Sequence, residues 1–170
     1  MEFTLVPALE GEISQCFEIL NQARAFQREQ GFVQWPDGYP PRSAIEEDVH
    51  SGKGYVVKAD SAIACYMCIG LDGDPAYPAI KGAWHSDLPY VVIHRLAMAP
   101  EFRNRGLSQQ VFSLIEGYCK NAGISNLRID TDEKNMRMRY VLEKNGFHYC
   151  GTVIQGGGDR LAFDKLLEKI

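Results

Sequence analysis

Ile93-His94-Arg95-Leu96-Ala97-Met98-Ala99-Pro100-Glu101-Phe102-Arg103-Asn104-Arg105-Gly106-Leu107-Ser108 reads as a strand, a basic turn and the start of a helix. Apolar alternation ends at Pro100. Leu107, Val111, Leu114, Ile115, Tyr118, Cys119 and Ala122 then fall on one helical face, and Gly123 supplies the stop. The turn between strand and helix has the residue types of an anion cradle. A helix start leaves backbone N–H groups without partners at the positive end of the dipole, and Gly106 lets a ligand approach the backbone closely. Arg103 and Arg105 add charge, and the Ser108 hydroxyl adds a donor or a cap. On residue types alone, a pyrophosphate cradle and an ordinary basic loop capped by Ser108 are equally good descriptions.

Leu96-Ala97-Met98-Ala99-Pro100 followed by Arg103-Asn104-Arg105-Gly106-Leu107-Ser108 resembles the acetyl-coenzyme A signature of the GNAT superfamily of N-acetyltransferases, Gln/Arg-x-x-Gly-x-Gly/Ala, with Ser108 as a small-for-small change. Asn135-Met136-Arg137-Met138-Arg139-Tyr140-Val141-Leu142-Glu143-Lys144-Asn145-Gly146-Phe147 resembles the family's next segment, an Asn that opens a helix closing on Gly-Phe. The two motifs stand in the family's order and spacing. The resemblance implies an α/β (α+β) fold: a mixed, mostly antiparallel sheet of about six to seven strands with a splayed parallel pair, and about four helices.

The rest of the chain fits one domain spanning residues 1–170. Glu2 to Val6 is a strand, and Glu12 to Gln30 a helix with Ile13, Cys16, Phe17, Leu20 and Ala23 on its buried face. Ser43-Ala44-Ile45-Glu46 has the pattern of a capping box opening a helix that runs to His50. Tyr55 to Ala59 and Ala62 to Ile69 form a hairpin about Asp60-Ser61. A long segment, Gly70 to Tyr90, is interrupted by prolines and reads as a loop. Asn126 to Asp130 is a strand parallel to the one ending at Met98, and Phe147 to Ile154 and Arg160 to Leu166 flank a Gly156-Gly157-Gly158 turn.

Net charge of -4 and a pI near 5.6 argue against general nucleic-acid binding, and no apolar run reaches membrane-spanning length. A soluble, cytoplasmic protein is expected, without a signal peptide. Five scattered cysteines, Cys16, Cys65, Cys68, Cys119 and Cys150, read as reduced, buried thiols. Cys65-x-x-Cys68 falls on a strand, which sends the two side chains to opposite faces. His50, His85, His94 and His148 have no ligand-like spacing, so no metal is expected.

What the resemblance implies about chemistry is an acetyl-CoA-dependent N-acetyltransferase, in which a primary amine of a small molecule or peptide attacks the thioester directly in a ternary complex. Leu96, Ala97 and Met98 would offer backbone groups to the pantetheine arm, Arg103, Asn104, Arg105, Gly106, Leu107 and Ser108 would hold the pyrophosphate, and Asn135 would contact the pantetheine region or simply cap its helix. Trp35 and Tyr39, in the turn-rich segment Phe32 to Pro41, and Trp84 and His85, in the long loop, could wall the acceptor pocket. His94 is the candidate base: on a regular strand it shares a face with Leu96 and Met98, and histidine titrates in the useful range. Many family members carry a Tyr acid four residues before the Gly of Gly-Phe, where this chain has Leu142, and Tyr140 is turned about 200° away. A non-catalytic acyl-CoA binding or sensing module is the alternative. A homodimer through a sheet edge or the last hairpin is compatible with such a fold.

Overall fold

Apolar periodicity becomes strand and helix much as expected in a computed structural model, which describes residues 1–168. The described residues form β1 (Phe3–Pro7), α1 (Ile13–Glu29), α2 (Arg42–His50), β2 (Gly54–Ala59), β3 (Ala62–Gly70), β4 (Lys81–Gly82), β5 (Val91–Met98), α3 (Ser108–Asn121), β6 (Asn126–Thr131), α4 (Met136–Lys144), β7 (His148–Gln155) and β8 (Gly158–Leu166). The sheet runs β1-β2-β3-β5-β6-β8-β7-β4. Among the described residues β5 and β6 pair in parallel, through Val91↔Leu127 and Val92↔Arg128.

The eighth strand is the departure from six or seven. β4 has two residues, no alternation to announce it, and exists because Lys81↔Thr152 and Gly82↔Gly151 pair with β7. It lies inside the Gly70 to Tyr90 segment, which also holds a 3-10 turn at Tyr77–Ala79. A second 3-10 turn, Pro100–Phe102, follows β5.

The expected capping box at α2 is not formed. The helix begins at Arg42 behind Pro41, whose φ of -72° and ψ of 159° already set the chain for helix entry, and no side chain caps it. Ser43 therefore sits within the first turn, and Glu46 pairs instead with Arg42 at 3.3 Å, one helical turn back.

The helix stops follow one rule. At the end of α4, the Phe147 N–H donates to the Leu142 carbonyl at 3.0 Å and the Gly146 N–H to the Glu143 carbonyl at 3.1 Å, with Gly146 at φ 84°. This is the Schellman arrangement: the chain must turn left-handed, which glycine does without strain, and the apolar residue after it packs back on the helix. It is the physical content of the Gly-Phe motif, and Phe147 is buried. Gly31-Phe32, Gly52-Lys53 and Gly123-Ile124 close α1, α2 and α3 through the same pair of bonds.

The chain divides into two compact units. The first takes Met1–Ile69 and His94–Leu114, the second Gly70–Ile93 and the chain from Ile115 onward. Leu20, Ile45, Val56, Val57, Tyr66 and Met67 are fully buried in the first, and Tyr77, Ile115, Leu127, Leu142 and Ala162 in the second. All five cysteines are buried and unbridged. No described helix is long and apolar enough to cross a membrane.

Candidate active site

In the first unit the basic turn is built from two left-handed positions. Asn104 has φ 60° and Gly106 φ 67°, and α3 starts at Ser108 directly behind them. A Cβ at Gly106 would meet nothing within 4 Å, so the space before the helix start is open. Both cations lie over aromatic rings: the Arg103 guanidinium lies 4.1 Å from the Phe26 ring centroid and that of Arg105 lies 5.3 Å from Phe102. A guanidinium stacked on a ring leaves its edge N–H groups available as donors to an anion. Leu107 provides the carbonyl for the helical bond from Val111 at 3.1 Å, which sets the positive end of the helix directly behind the turn.

β5 is not a regular strand where it passes the candidate base. Arg95 has φ 52°, a left-handed value in an L residue, and this interrupts the two-residue alternation. The expectation that His94 shares a face with Leu96 and Met98 assumed unbroken alternation and does not hold across that position. His94, Arg95, Leu96 and Met98 are all partly buried, while Ala97 is buried.

The same irregularity aims Arg95 at Asp48 of α2. Arg95 Nη2 donates to Asp48 Oδ1 at 2.6 Å and Nε to Oδ2 at 2.9 Å, and the Tyr66 hydroxyl donates to Oδ2 at 2.6 Å. Arg95 Nη1 reaches the Tyr39 hydroxyl at 3.2 Å. Burial pulls the guanidinium toward neutrality, and the Asp48 hydrogen bonds and charge more than offset it, so Arg95 stays charged. Burial and then Asp48 both raise the Tyr66 phenol. Sequence reasoning missed this network; its signal was an arginine in an otherwise apolar strand, which needs a buried partner. Of the two aromatics proposed for the acceptor side, Tyr39 is 38% exposed, whereas Trp35 is buried with its backbone N–H bonded to Gln27 Oε1 at 3.1 Å.

In the second unit Asn135 is the N-cap of α4, its side-chain oxygen accepting from the Met138 N–H at 3.2 Å. Leu142 is fully buried and Tyr140 is 65% exposed, so the position where the family carries an acid is interior apolar surface. Trp84 packs against Arg128, whose guanidinium lies 4.1 Å from the Trp84 ring and 4.0 Å from Tyr90. Its indole N–H donates to the Tyr77 carbonyl at 3.0 Å. His85 is fastened by Asp164, which accepts its backbone N–H and Nδ1, each at 2.8 Å.

A left-handed turn carrying two cations before a helix start, after an interrupted strand, is met by a family model. The acetyltransferase (GNAT) family model matches residues 17–147.

The chain belongs to the GNAT acetyltransferase family.

Among solved structures, a GNAT-family acetyltransferase from Streptococcus agalactiae is 35% identical, with a TM-score of 0.88 over 98% of this chain and 96% of that one. A GNAT-family acetyltransferase from Listeria monocytogenes is 19% identical, with a TM-score of 0.77 over 98% and 96%. AAC(6')-Ib in complex with ribostamycin and coenzyme A is 19% identical, with a TM-score of 0.71 over 98% and 94%, a likeness of fold. No curated protein matches the chain. The mostly antiparallel sheet with one parallel pair is thus the GNAT fold, and Gly106 and Gly146 both fall within the matched span.

Proposed function

We propose that this GNAT protein is an N-acetyltransferase that transfers the acetyl group of acetyl-CoA to a primary amine of a small molecule or peptide, by direct attack in a ternary complex. One observation carries the reading: in a member of the family, Arg103 to Ser108 sets two left-handed residues and two ring-stacked arginines immediately before a helix start. That arrangement supports a pyrophosphate cradle over an ordinary loop, because a helix start, an open approach at Gly106 and two cations lie within six residues of one another.

Acetyl-CoA supplies the activated thioester. Backbone groups of Leu96, Ala97 and Met98 pair with its pantetheine arm, Arg103, Asn104, Arg105, Gly106, Leu107 and Ser108 hold its pyrophosphate, and Asn135 contacts the pantetheine region while capping α4. His94 takes the proton from the attacking ammonium, directly or through water. Trp35 and Tyr39, and in the second unit Trp84 and His85, are the acceptor-side residues. The aminoglycoside in the AAC(6')-Ib complex supports an amine acceptor. Buried cysteines without disulfides suit a cytoplasmic enzyme.

The buried Leu142 favours a second reading, a non-catalytic acyl-CoA binding module, since no tyrosine stands there to protonate the departing thiolate. A thiolate leaves readily without a strong acid, which keeps catalysis as the first reading. Calorimetric titration with acetyl-CoA, followed by a thiol-release assay over a panel of amines, tests both. The wild type is expected to bind at about micromolar strength and Gly106→Trp at least about tenfold more weakly, because the indole would fill the phosphate approach. Binding without thiol release selects the module; no binding at millimolar acetyl-CoA defeats both readings.

A further inference from the structure

We propose that His85, Cys150 and Asp164 form a binding site for one transition-metal cation of the zinc type. The three lie in the second unit, on the segment after β4, on β7 and on β8, and one ligand atom from each falls within 4.8 Å of the others. The proposal does not rest on the acetyl-transfer reading, although it uses His85, which that reading places on the acceptor side.

Two features of the backbone build it. The β7–β8 register shifts between Tyr149 and Gly151, so Cys150 is the extra residue of a β-bulge, and a bulge turns a side chain out of ordinary alternation. Then Gly82 and Gly151 pair so closely that a Cβ on either would collide with the opposing backbone, and the Ala83 N–H donates to the Cys150 carbonyl at 3.0 Å. That approach sets His85, three residues beyond Gly82, beside the thiol.

The donors converge on one ring nitrogen. His85 Nδ1 is 2.8 Å from Asp164 Oδ1 and 3.4 Å from Cys150 Sγ. A neutral imidazole nitrogen has a single hydrogen-bonding role at a time, so while Nδ1 donates to the carboxylate the thiol turns its S–H to the His148 carbonyl at 3.4 Å. A cation would replace both hydrogen bonds with direct ligation by the three converging atoms. Tetrahedral zinc, with bonds of about 2.0 Å to nitrogen and oxygen and 2.3 Å to sulfur, separates N from S by about 3.5 Å and N from O by about 3.3 Å. The first distance is already present, and the second requires the hydrogen bond to open by about half an ångström. Asp164 is 1% exposed at its side chain, a position for a dedicated anion, and the His85 side chain is 49% exposed, which leaves a route for the ion and a place for water as fourth ligand.

The donor set selects the class of ion. Thiolate and imidazole favour zinc, cobalt or nickel over magnesium or calcium. On binding, the Cys150 S–H bond breaks, its proton passes to buffer, and a metal–sulfur bond forms. His85 is ligated at Nδ1 and carries its ring proton on Nε2. One dication, one thiolate and one carboxylate then sum to zero charge, as a buried site requires. His148, whose ring lies 5.9 Å from that of His85 and whose carbonyl is 3.4 Å from Sγ, is the adjacent titratable group. Spacing in the sequence hid the site because Cys150 and Asp164 follow His85 by 65 and 79 residues.

The test is cobalt(II) titration of the chelator-stripped full chain, followed by absorption. One equivalent should produce a thiolate-to-cobalt charge-transfer band and tetrahedral visible bands, displaced by zinc and not by excess magnesium. Cys150→Ser should abolish the charge-transfer band, and His85→Gln, which keeps a side-chain amide able to donate to Asp164, should weaken cobalt binding at least about tenfold. Zinc should raise the melting midpoint of the wild type by about 5 °C or more and leave that of His85→Gln unmoved. No band at millimolar cobalt, a band that survives Cys150→Ser, unchanged affinity in His85→Gln, or displacement by magnesium would each overturn the proposal.

Discussion

Each compact unit encloses an arginine from a strand of the sheet, and the two are held by opposite means. Arg95 in the first unit is gripped by the Asp48 carboxylate through two short bonds, with Tyr66 on the same carboxylate. Arg128 in the second lies between the faces of Trp84 and Tyr90 and donates from Nη2 to the Ser86 carbonyl at 2.6 Å. Its Nε is buried with no hydrogen-bond partner among the described residues. An ion pair makes two buried charges depend on each other. An aromatic clamp holds one charge with polarizable faces that lose little if the charge goes. The first unit should therefore be intolerant of single changes in its polar interior, and the second forgiving.

Asp48→Ala tests the intolerant side and carries the largest expected effect. It leaves Arg95 charged in a mostly buried place, so urea unfolding should register a loss of about 3–5 kcal/mol. Adding Arg95→Met should recover a large part of it, giving a strong coupling in the double-mutant cycle. A loss below about 1 kcal/mol would break the contrast between the units.

Arg128→Met comes next. The substitution keeps an unbranched chain between the two rings, removes an unsatisfied Nε and strands no carboxylate, so the expected loss is only about 1–2 kcal/mol, mainly the two cation–π contacts. A loss equal to that of Asp48→Ala would mean that the aromatic clamp is as demanding as the ion pair.

The smallest effect is a pH dependence shared by both units. Burial raises the thiols of Cys65 in the first unit and Cys119 in the second to about 12, from 9.0. Because the folded-state values lie above the unfolded ones, the stabilisation is complete below the unfolded thiol range and is lost as pH rises from there toward the folded values. Urea midpoints should fall between pH 8 and about 10, and Cys65→Ala should flatten the decline. A midpoint that rises over this range would contradict the burial that both units share.

Most of the architecture could be read from residues 93–108 and 135–147, because local rules govern them. The alternation into Pro100, the helical face from Leu107 to Ala122 and the glycine stops all act within a few residues of chain, and they place β5, α3 and α4 closely. Asn135 was read both as a ligand contact and as a cap, and the cap is formed. The misses share one cause. β4 has two residues and no pattern, so only β7 defines it. The left-handed Arg95 has no local signature in an apolar strand, since the conformation is held by Asp48, 47 residues earlier. The packing of Trp84 against Arg128 has no local signature either, since the two stand 44 residues apart.

The sequence alone was enough for the family-like order of strands and helices, the basic turn with its glycine, the helix ends and the reduced state expected of five scattered thiols. These depend on propensity, short-range hydrogen bonding and composition, all of which operate between neighbours in the chain. Tertiary structure was needed for the partners of the buried charges, the break in β5, the bulge at Cys150 and the meeting of His85, Cys150 and Asp164. Desolvation forces a buried polar group to find a partner wherever the fold brings one. That partner can stand anywhere along the chain, so no periodicity records it.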